Sequence, residues 1–168
     1  MNLNFIFYDT DKTNLDYDNW NYSFFLAGPT DRTKFELTHW RKEAVKIFKD
    51  TLNSIKKNIT VSIISPEFSL NENKMTYQEI VDWELFHLNR STKIFWIPRT
   101  EDLPGFTTNV EFGMFHKDEN TFYGRPDNAF KVRYLDYIWK KNRKDSREIK
   151  NNLKDLIDYA INCTIRSK

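Results

Sequence analysis

The stretch Lys93–Gly113, KIFWIPRTEDLPGFTTNVEFG, decides the fold. Ile94 to Ile97 is a short apolar run, which reads as a buried strand. Pro98 ends it, because proline cannot donate to a strand ladder. A loop follows, with Pro104, Gly105 and three hydroxyl or amide side chains, Thr107, Thr108 and Asn109. A helix is then expected from about Asn109, with Glu111 in its first turn between Val110 and Phe112. A carboxylate just beyond the carboxyl end of a central strand stands where open α/β sheets place ligand chemistry. Backbone N–H groups and the helix dipole also favour an anion there. Taken alone, Glu111 reads equally well as an ordinary acidic residue in a helix start.

Upstream, Thr76 to Arg90 reads as a helix with an apolar stripe at Tyr77, Ile80, Val81, Leu85 and Leu88. Helical spacing puts Glu84 on that same face. A buried carboxylate without a partner is costly, so Glu84 has a partner or a task. The alternatives are a place at the edge of the stripe that reaches water, or a nearby arginine. Further back, Ile59 to Ile64 and Tyr22 to Ala27 read as strands, stopped by Ser65-Pro66 and Gly28-Pro29. Between them, Leu37, Trp40, Ala44, Ile47, Phe48, Leu52 and Ile55 recur at helical spacing, which predicts a helix over 35–55. Leu3 to Tyr8 is expected to be an edge strand or an ordered arm.

Downstream, Thr121 to Tyr123 is a short extended run, and Gly124-Arg125-Pro126 reads as a turn. Val132–Trp139 and Ile149–Ile161 both show helical periodicity. The order strand–helix–strand–helix–strand–helix, with continuous apolar strands, implies a parallel sheet covered on both faces. The basic run Lys140, Lys141, Arg143, Lys144, Arg147 reads as a solvated helix end and loop, with a phosphate-binding patch as the alternative.

The 168 residues suffice for one domain with a real core, so a single domain over 1–168 is expected. Aromatics make up 16%, which suggests aromatic-rich packing or a site that stacks planar ligands. The formal charge of +2 argues against a nucleic-acid partner. Cys163 is the one cysteine, so no disulfide can form within the chain. That fits a reducing cytosol, and a cytoplasmic location is expected. The start, MNLNFIFYDTDK, lacks the basic and apolar regions of a signal peptide. No run approaches the roughly 20 apolar residues of a membrane helix, so no membrane partner is expected.

His39, His87 and His116 lack zinc-site spacing, and no metal is expected. No GxSxG elbow, GxGxxG fingerprint or phosphate-binding GKS/T loop is present, and no cofactor is expected. What remains is a carboxylate site, and two carboxylates are the usual equipment for exchange at a glycosidic bond. Gly28 stands at a strand end, where a backbone comes close to a ligand. Trp40-Arg41 would bring an aromatic plane and a cation near that loop. The competing reading makes Trp40 a core residue and Arg41 a surface one.

Three segments together resemble the nucleoside 2-deoxyribosyltransferase-like family: FFLAGPTDRT with HWRKEA (24–33 and 39–44), DWELFHLNRSTKIFWIPR (82–99) and LPGFTTNVEFG (103–113). GRPDNAFKVRYL (124–135) is similar to a weaker motif of the same family. The resemblance covers about 22–135, with C-terminal helices over 133–163 beyond most of it. It implies a flavodoxin-like, doubly wound sheet of about five strands with helices on both faces. It also implies chemistry on the bond between a nucleobase and its sugar.

The family's nucleophilic Glu matches Glu111, and an acidic residue on the preceding helix matches Glu84. Phe25, Gly28, Asp31, Trp40, Arg41, Asp102, Thr107, Thr108 and Asn109 are then the substrate-binding candidates. Transferases of the family carry an Asp where this chain has Gly105, and a Tyr in the region of Phe25. The expected partners are a nucleoside or nucleotide and a free base, with a second copy of the chain completing the site. Rival readings are a nucleotide N-glycosidase, with Arg32, Arg41 or Arg99 on phosphate, and a nucleotide sensor without catalysis.

Overall fold

The computed structural model describes residues 2–7, 19–30, 38–55, 57–67, 75–143, 145 and 147–166. Its five strands are β1 (Asn2–Ile6), β2 (Tyr22–Ala27), β3 (Thr60–Ile64), β4 (Thr92–Trp96) and β5 (Thr121–Gly124). They form one parallel sheet in the order β1-β3-β2-β4-β5. The helices are α1 (His39–Asn53), α2 (Tyr77–Arg90), α3 (Phe106–Phe115), α4 (Arg133–Asn142) and α5 (Leu153–Ile161). This is the α/β, flavodoxin-like doubly wound arrangement expected from the alternation of apolar strands and amphipathic helices. The chain packs as two compact units, residues 1–26 with 32–92 and residues 27–31 with 93–168.

In the first unit, β3 is the inner strand, pairing with β1 from Asn2↔Thr60 to Ile6↔Ile64 and with β2 from Tyr22↔Val61 to Phe25↔Ile64. Phe24 to Ala27 are all buried, which is why this strand reads as an uninterrupted apolar run rather than an alternating one. The Phe24 ring meets Phe48 of α1 at 5.1 Å. Helix α2 starts with a complete capping box, in which Glu79 N–H donates to the Thr76 hydroxyl and Thr76 N–H to the Glu79 carboxylate at 2.7 Å. Its buried face is Ile80, Trp83, Glu84, His87 and Leu88. The predicted stripe is therefore rotated: Tyr77 is exposed, and Trp83 and His87 take the core positions.

Of the two readings of Arg41, the surface one is corrected, since the residue is 0% exposed. Its Nη1 donates to Glu67 Oε1 at 3.0 Å, and Nε and Nη2 donate to the Leu26 carbonyl at 3.2 and 3.1 Å. Glu67 also accepts from the Thr38 backbone N–H and hydroxyl at the start of α1, and from the Ser65 hydroxyl at 3.2 Å. One buried carboxylate thus ties the chain after β3 to the first residues of α1, and the guanidinium ties both to the end of β2.

In the second unit, β4 and β5 pair from Lys93↔Thr121 to Trp96↔Gly124. Phe112 of α3 centres the core, with its ring 5.3 Å from Phe95, 4.7 Å from Tyr123 and 6.1 Å from Trp139. The last helix, expected over Ile149–Ile161, begins at Leu153, and the residues before it instead meet β5, where Lys150 bridges to Gly124. Lys150 N–H donates to Tyr123 O at 3.2 Å, and Arg125 N–H to Lys150 O at 2.8 Å. Gly124, predicted to open a turn, ends β5 instead. A Cβ there would lie 2.6 Å from the Lys150 carbonyl, so only glycine admits this approach.

The basic run is likewise not simply solvated. Arg143, with its side chain 3% exposed, packs over Trp139 at 4.3 Å and donates to the His116 and Asp118 carbonyls at 2.9 and 3.1 Å. Arg147 packs over Phe122 at 4.4 Å. Asp145 pairs with both guanidinium groups, and the Arg143 hydrogen bond holds its carboxyl below the usual range.

Candidate functional site

Within the second unit, the carboxyl end of β4 leads through Pro98 and Arg99 to a loop that ends at Gly105. Gly105 is the N-cap of α3 and has a left-handed backbone, φ +58°. A Cβ there would lie 2.8 Å from Pro29 Cγ. The Gly28-Pro29 turn after β2 therefore presses directly on the start of α3, and a side chain at position 105 has no room here. Helix α3 starts at Phe106, three residues earlier than Asn109. The reason is local: a left-handed glycine breaks the chain direction, and Thr107 and Thr108 then enter the helix although they read as loop formers.

This shift corrects the placement of Glu111. It lies in the second turn, half-buried between exposed Val110 and fully buried Phe112, and no acidic residue occupies the first turn. The dipole acts mainly within the first turn, so it gives this carboxylate less support than expected. Thr107 is exposed, Thr108 is buried, and Asn109 is half-buried. Asp102 lies exposed in the preceding loop. No side chain caps the α3 N-terminus.

Arg99 is 7% exposed. Its Nη2 donates to Asn109 Oδ1, and its Nη1 to the Lys131 carbonyl at 3.3 Å. The Arg99 carbonyl in turn accepts from Phe130 N–H at 2.9 Å. Lys131 presents its carbonyl from a left-handed backbone, φ +49°, which a side-chain-bearing residue seldom adopts. Among the described residues, Arg99 Nε has no hydrogen-bond partner and the guanidinium has no carboxylate partner. Burial pulls its pKa below the ordinary range. The nearby carboxylate of Asp136 is already engaged, accepting from Tyr123 Oη at 2.8 Å and Arg125 Nη2 at 2.9 Å. Burial and that carboxylate push the Tyr123 phenol well up, so it stays neutral.

Gly28, Asp102, Thr107, Thr108, Asn109 and Glu111 all lie in the second unit, where Pro29 meets Gly105 and Arg99 meets Asn109. Glu84, Phe25, Trp40 and Arg41 belong to the first unit. Glu84 is buried, 7% exposed, on the inner face of α2. Phe25 is 0% exposed with its ring 6.3 Å from Trp83, so it offers no open face for a base to stack on. Trp40 is a core residue with the Arg41 guanidinium 4.4 Å from its ring. Asp31 and Arg32 lie outside the described residues. Arg99 was named in the sequence only as one of three arginines for a phosphate. The signal that separates it from the others is its place directly after the strand-ending Pro98, where an otherwise apolar run turns charged.

Among the described residues, no three His, Cys, Asp or Glu side chains are grouped to hold a metal ion, and no helix is long and apolar enough to cross a membrane. An open cavity of about 530 Å³ is lined by Arg125, Asp127, Lys140, Glu148, Lys150 and Asp155 among others, with its charges balanced. None of these is a predicted site residue. No family model matches the chain, and no curated protein matches it either.

Proposed function

We propose that the chain transfers a glycosyl group at the N-glycosidic bond of a nucleoside or nucleotide, through a covalent ester between Glu111 and the sugar. The observation that carries this reading is a half-buried carboxylate, Glu111, in the second turn of the helix after β4, a helix whose N-cap Gly105 is pressed against Pro29. The resemblance to nucleoside 2-deoxyribosyltransferase-like proteins supports it.

In the first step a Glu111 carboxylate oxygen attacks the anomeric carbon, and the carbon–nitrogen bond breaks. The base leaves with the bonding electrons and takes a proton from an acid, for which exposed Asp102 of the same unit is the candidate. In the second step a nitrogen of another base attacks the anomeric carbon, its proton passes to the acid that served the leaving base, and the Glu111 carboxylate is released. Water in place of the second base gives hydrolysis. Two inversions retain the configuration, which calls for nucleophile and acid about 5–5.5 Å apart. Thr107 and Asn109 are the hydrogen-bonding groups suited to the sugar.

The test is product analysis. The protein is mixed with a nucleoside or its monophosphate and a second free base, and the products are separated by chromatography. A new nucleoside marks transfer, and free sugar marks hydrolysis. Glu111→Gln is expected to abolish both while the fold survives, and Asp102→Asn shows whether Asp102 serves the leaving base. Turnover like wild type in Glu111→Gln removes that residue from the mechanism. Saturable nucleotide binding without cleavage over long incubation favours a sensor.

A further inference from the structure

Helices α3 and α4 lie side by side on one face of β5. Phe112 of α3 and Trp139 of α4 both meet the Tyr123 ring of that strand, at 4.7 and 5.5 Å. At the far ends of the helices, His116 Nε2 is 3.1 Å from Asn142 Nδ2. With Phe112 and Trp139 turned to the strand, the opposite sides of both helices face outward together.

That outward surface is apolar. Phe106, Val110 and Met114 recur every four residues along α3, and each is more than half exposed. Tyr134 and Tyr137 of α4 are exposed to the same degree. Among the described residues these are five of the seven exposed large apolar side chains, so the exposed apolar surface is concentrated here; the remaining two, Tyr77 and Phe86, are on α2. The inner side of α3 is apolar as well, with Phe112 and Phe115 buried. A helix apolar all round calls for an apolar phase on both sides, and α3 has one only on the inside. A Cβ built on Gly113 would meet nothing within 4 Å, so the outer side is open there.

The same surface is basic. No exposed position on either helix is acidic, whereas Arg133, Lys140 and Lys141 of α4 and Lys117 just after α3 are exposed. Asp136 is held by Tyr123 and Arg125, and Glu111 is half-buried. The exposed acids nearest in sequence, Glu101, Asp102 and Glu119, stand before and after α3 rather than on it. Lys140 also borders the charge-balanced cavity with Glu148 and Asp155, so Lys117, Arg133 and Lys141 carry the charge argument.

Apolar side chains among cations match an anionic lipid surface. Phenylalanine and methionine enter the acyl boundary, tyrosine keeps its hydroxyl at headgroup level, and lysine lays its stem along the apolar side while its ammonium reaches lipid phosphate. A second copy of the chain fits less well, because a two-fold contact sets the same cations against each other. Protein partners in general select against lysine at their interfaces. We infer that the outer face of α3 and α4 is a docking surface for an anionic lipid bilayer, on which the protein lies without crossing it. Such a contact needs no membrane-spanning helix. It does not rest on the glycosyl-transfer reading.

The test is vesicle sedimentation with the full chain. Vesicles of phosphatidylcholine alone are compared with vesicles of phosphatidylcholine and phosphatidylserine. Wild type is expected to bind the mixed vesicles about tenfold or more tightly than the neutral ones, and to be released as salt is raised. Arg133→Glu with Lys141→Glu is expected to lower affinity for the mixed vesicles by about tenfold or more. Phe106→Ser with Met114→Ser is expected to do the same by removing the inserted side chains. Tyr77→Ser, on α2, alters an equally exposed ring away from these helices and is expected to bind like wild type. The substituted side chains are all exposed, so unchanged melting temperatures are expected. Where a double variant fails to fold, Lys117→Glu alone, in a turn, is expected to cost about fivefold or more.

No binding to the mixed vesicles, equal binding to mixed and neutral ones, or equal binding by every variant overturns the proposal. A dimer in analytical ultracentrifugation that Phe106→Ser with Met114→Ser disperses, without vesicle binding, overturns it too and gives the surface to a second copy.

Discussion

Helices α1 and α3 both begin beside a buried guanidinium. At α1, Arg41 is matched inside the chain: Glu67 accepts from it, from the Thr38 hydroxyl and from the Thr38 backbone N–H, so one carboxylate serves both the cation and the helix start. At α3, Arg99 has only a neutral amide and a carbonyl, and the helix start has no cap. The same two requirements, a counter-charge and a cap, are met by one residue in the first case and by none of the described residues in the second. A group that satisfies Arg41 for folding cannot also be exchanged for a ligand. Among the described residues, Arg99 is built without that group.

The comparison breaks most readily at Arg41. Arg41→Met strands Glu67 as a buried, uncompensated charge and is expected to cost about 3–5 kcal/mol in urea denaturation. A loss under about 1 kcal/mol would mean that Glu67 is relieved some other way, and the contrast with Arg99 would fail. Gly105→Ala comes next. A left-handed residue with a side chain costs about 1–2 kcal/mol, and the Cβ also meets Pro29 at 2.8 Å, so a loss of about 2 kcal/mol or more is expected. A neutral outcome would show that α3 can start without this cradle.

The smallest effect sharpens the contrast. Arg99→Met removes a cation that has no counter-charge among the described residues, and it is expected to cost less than about 1 kcal/mol by the same denaturation measurement. A loss as large as that at Arg41 would give Arg99 an equal structural duty and erase the contrast.

The sheet was legible because its strands are dense in apolar residues. Tyr22–Ala27 was bounded on both sides by polar or turn-forming residues, and the structure reproduces that span. What escaped depends on partners far apart in sequence. Arg41 reads as a surface residue until Glu67, 26 positions away, is brought to it. Arg143 and Arg147 read as solvated because nothing local says that Trp139 and Phe122 lie beneath them. The start of α3 was misplaced because Thr107, Thr108 and Asn109 favour caps and turns, while the backbone sign of Gly105 that sets the true start has no signature beyond the glycine itself. Glu111 was found as a residue, but its turn of the helix was not.

Gly124 carries a consequence of another kind. By admitting the Lys150 carbonyl, it lets residues 147–150 lie along β5 as a covering ribbon. Strand addition by a second molecule needs free backbone groups in a row, and along β5 the Tyr123 carbonyl is already taken. A side chain at 124 would lift the ribbon, and the first symptom in solution would be insoluble assembly, well before any change in chemistry.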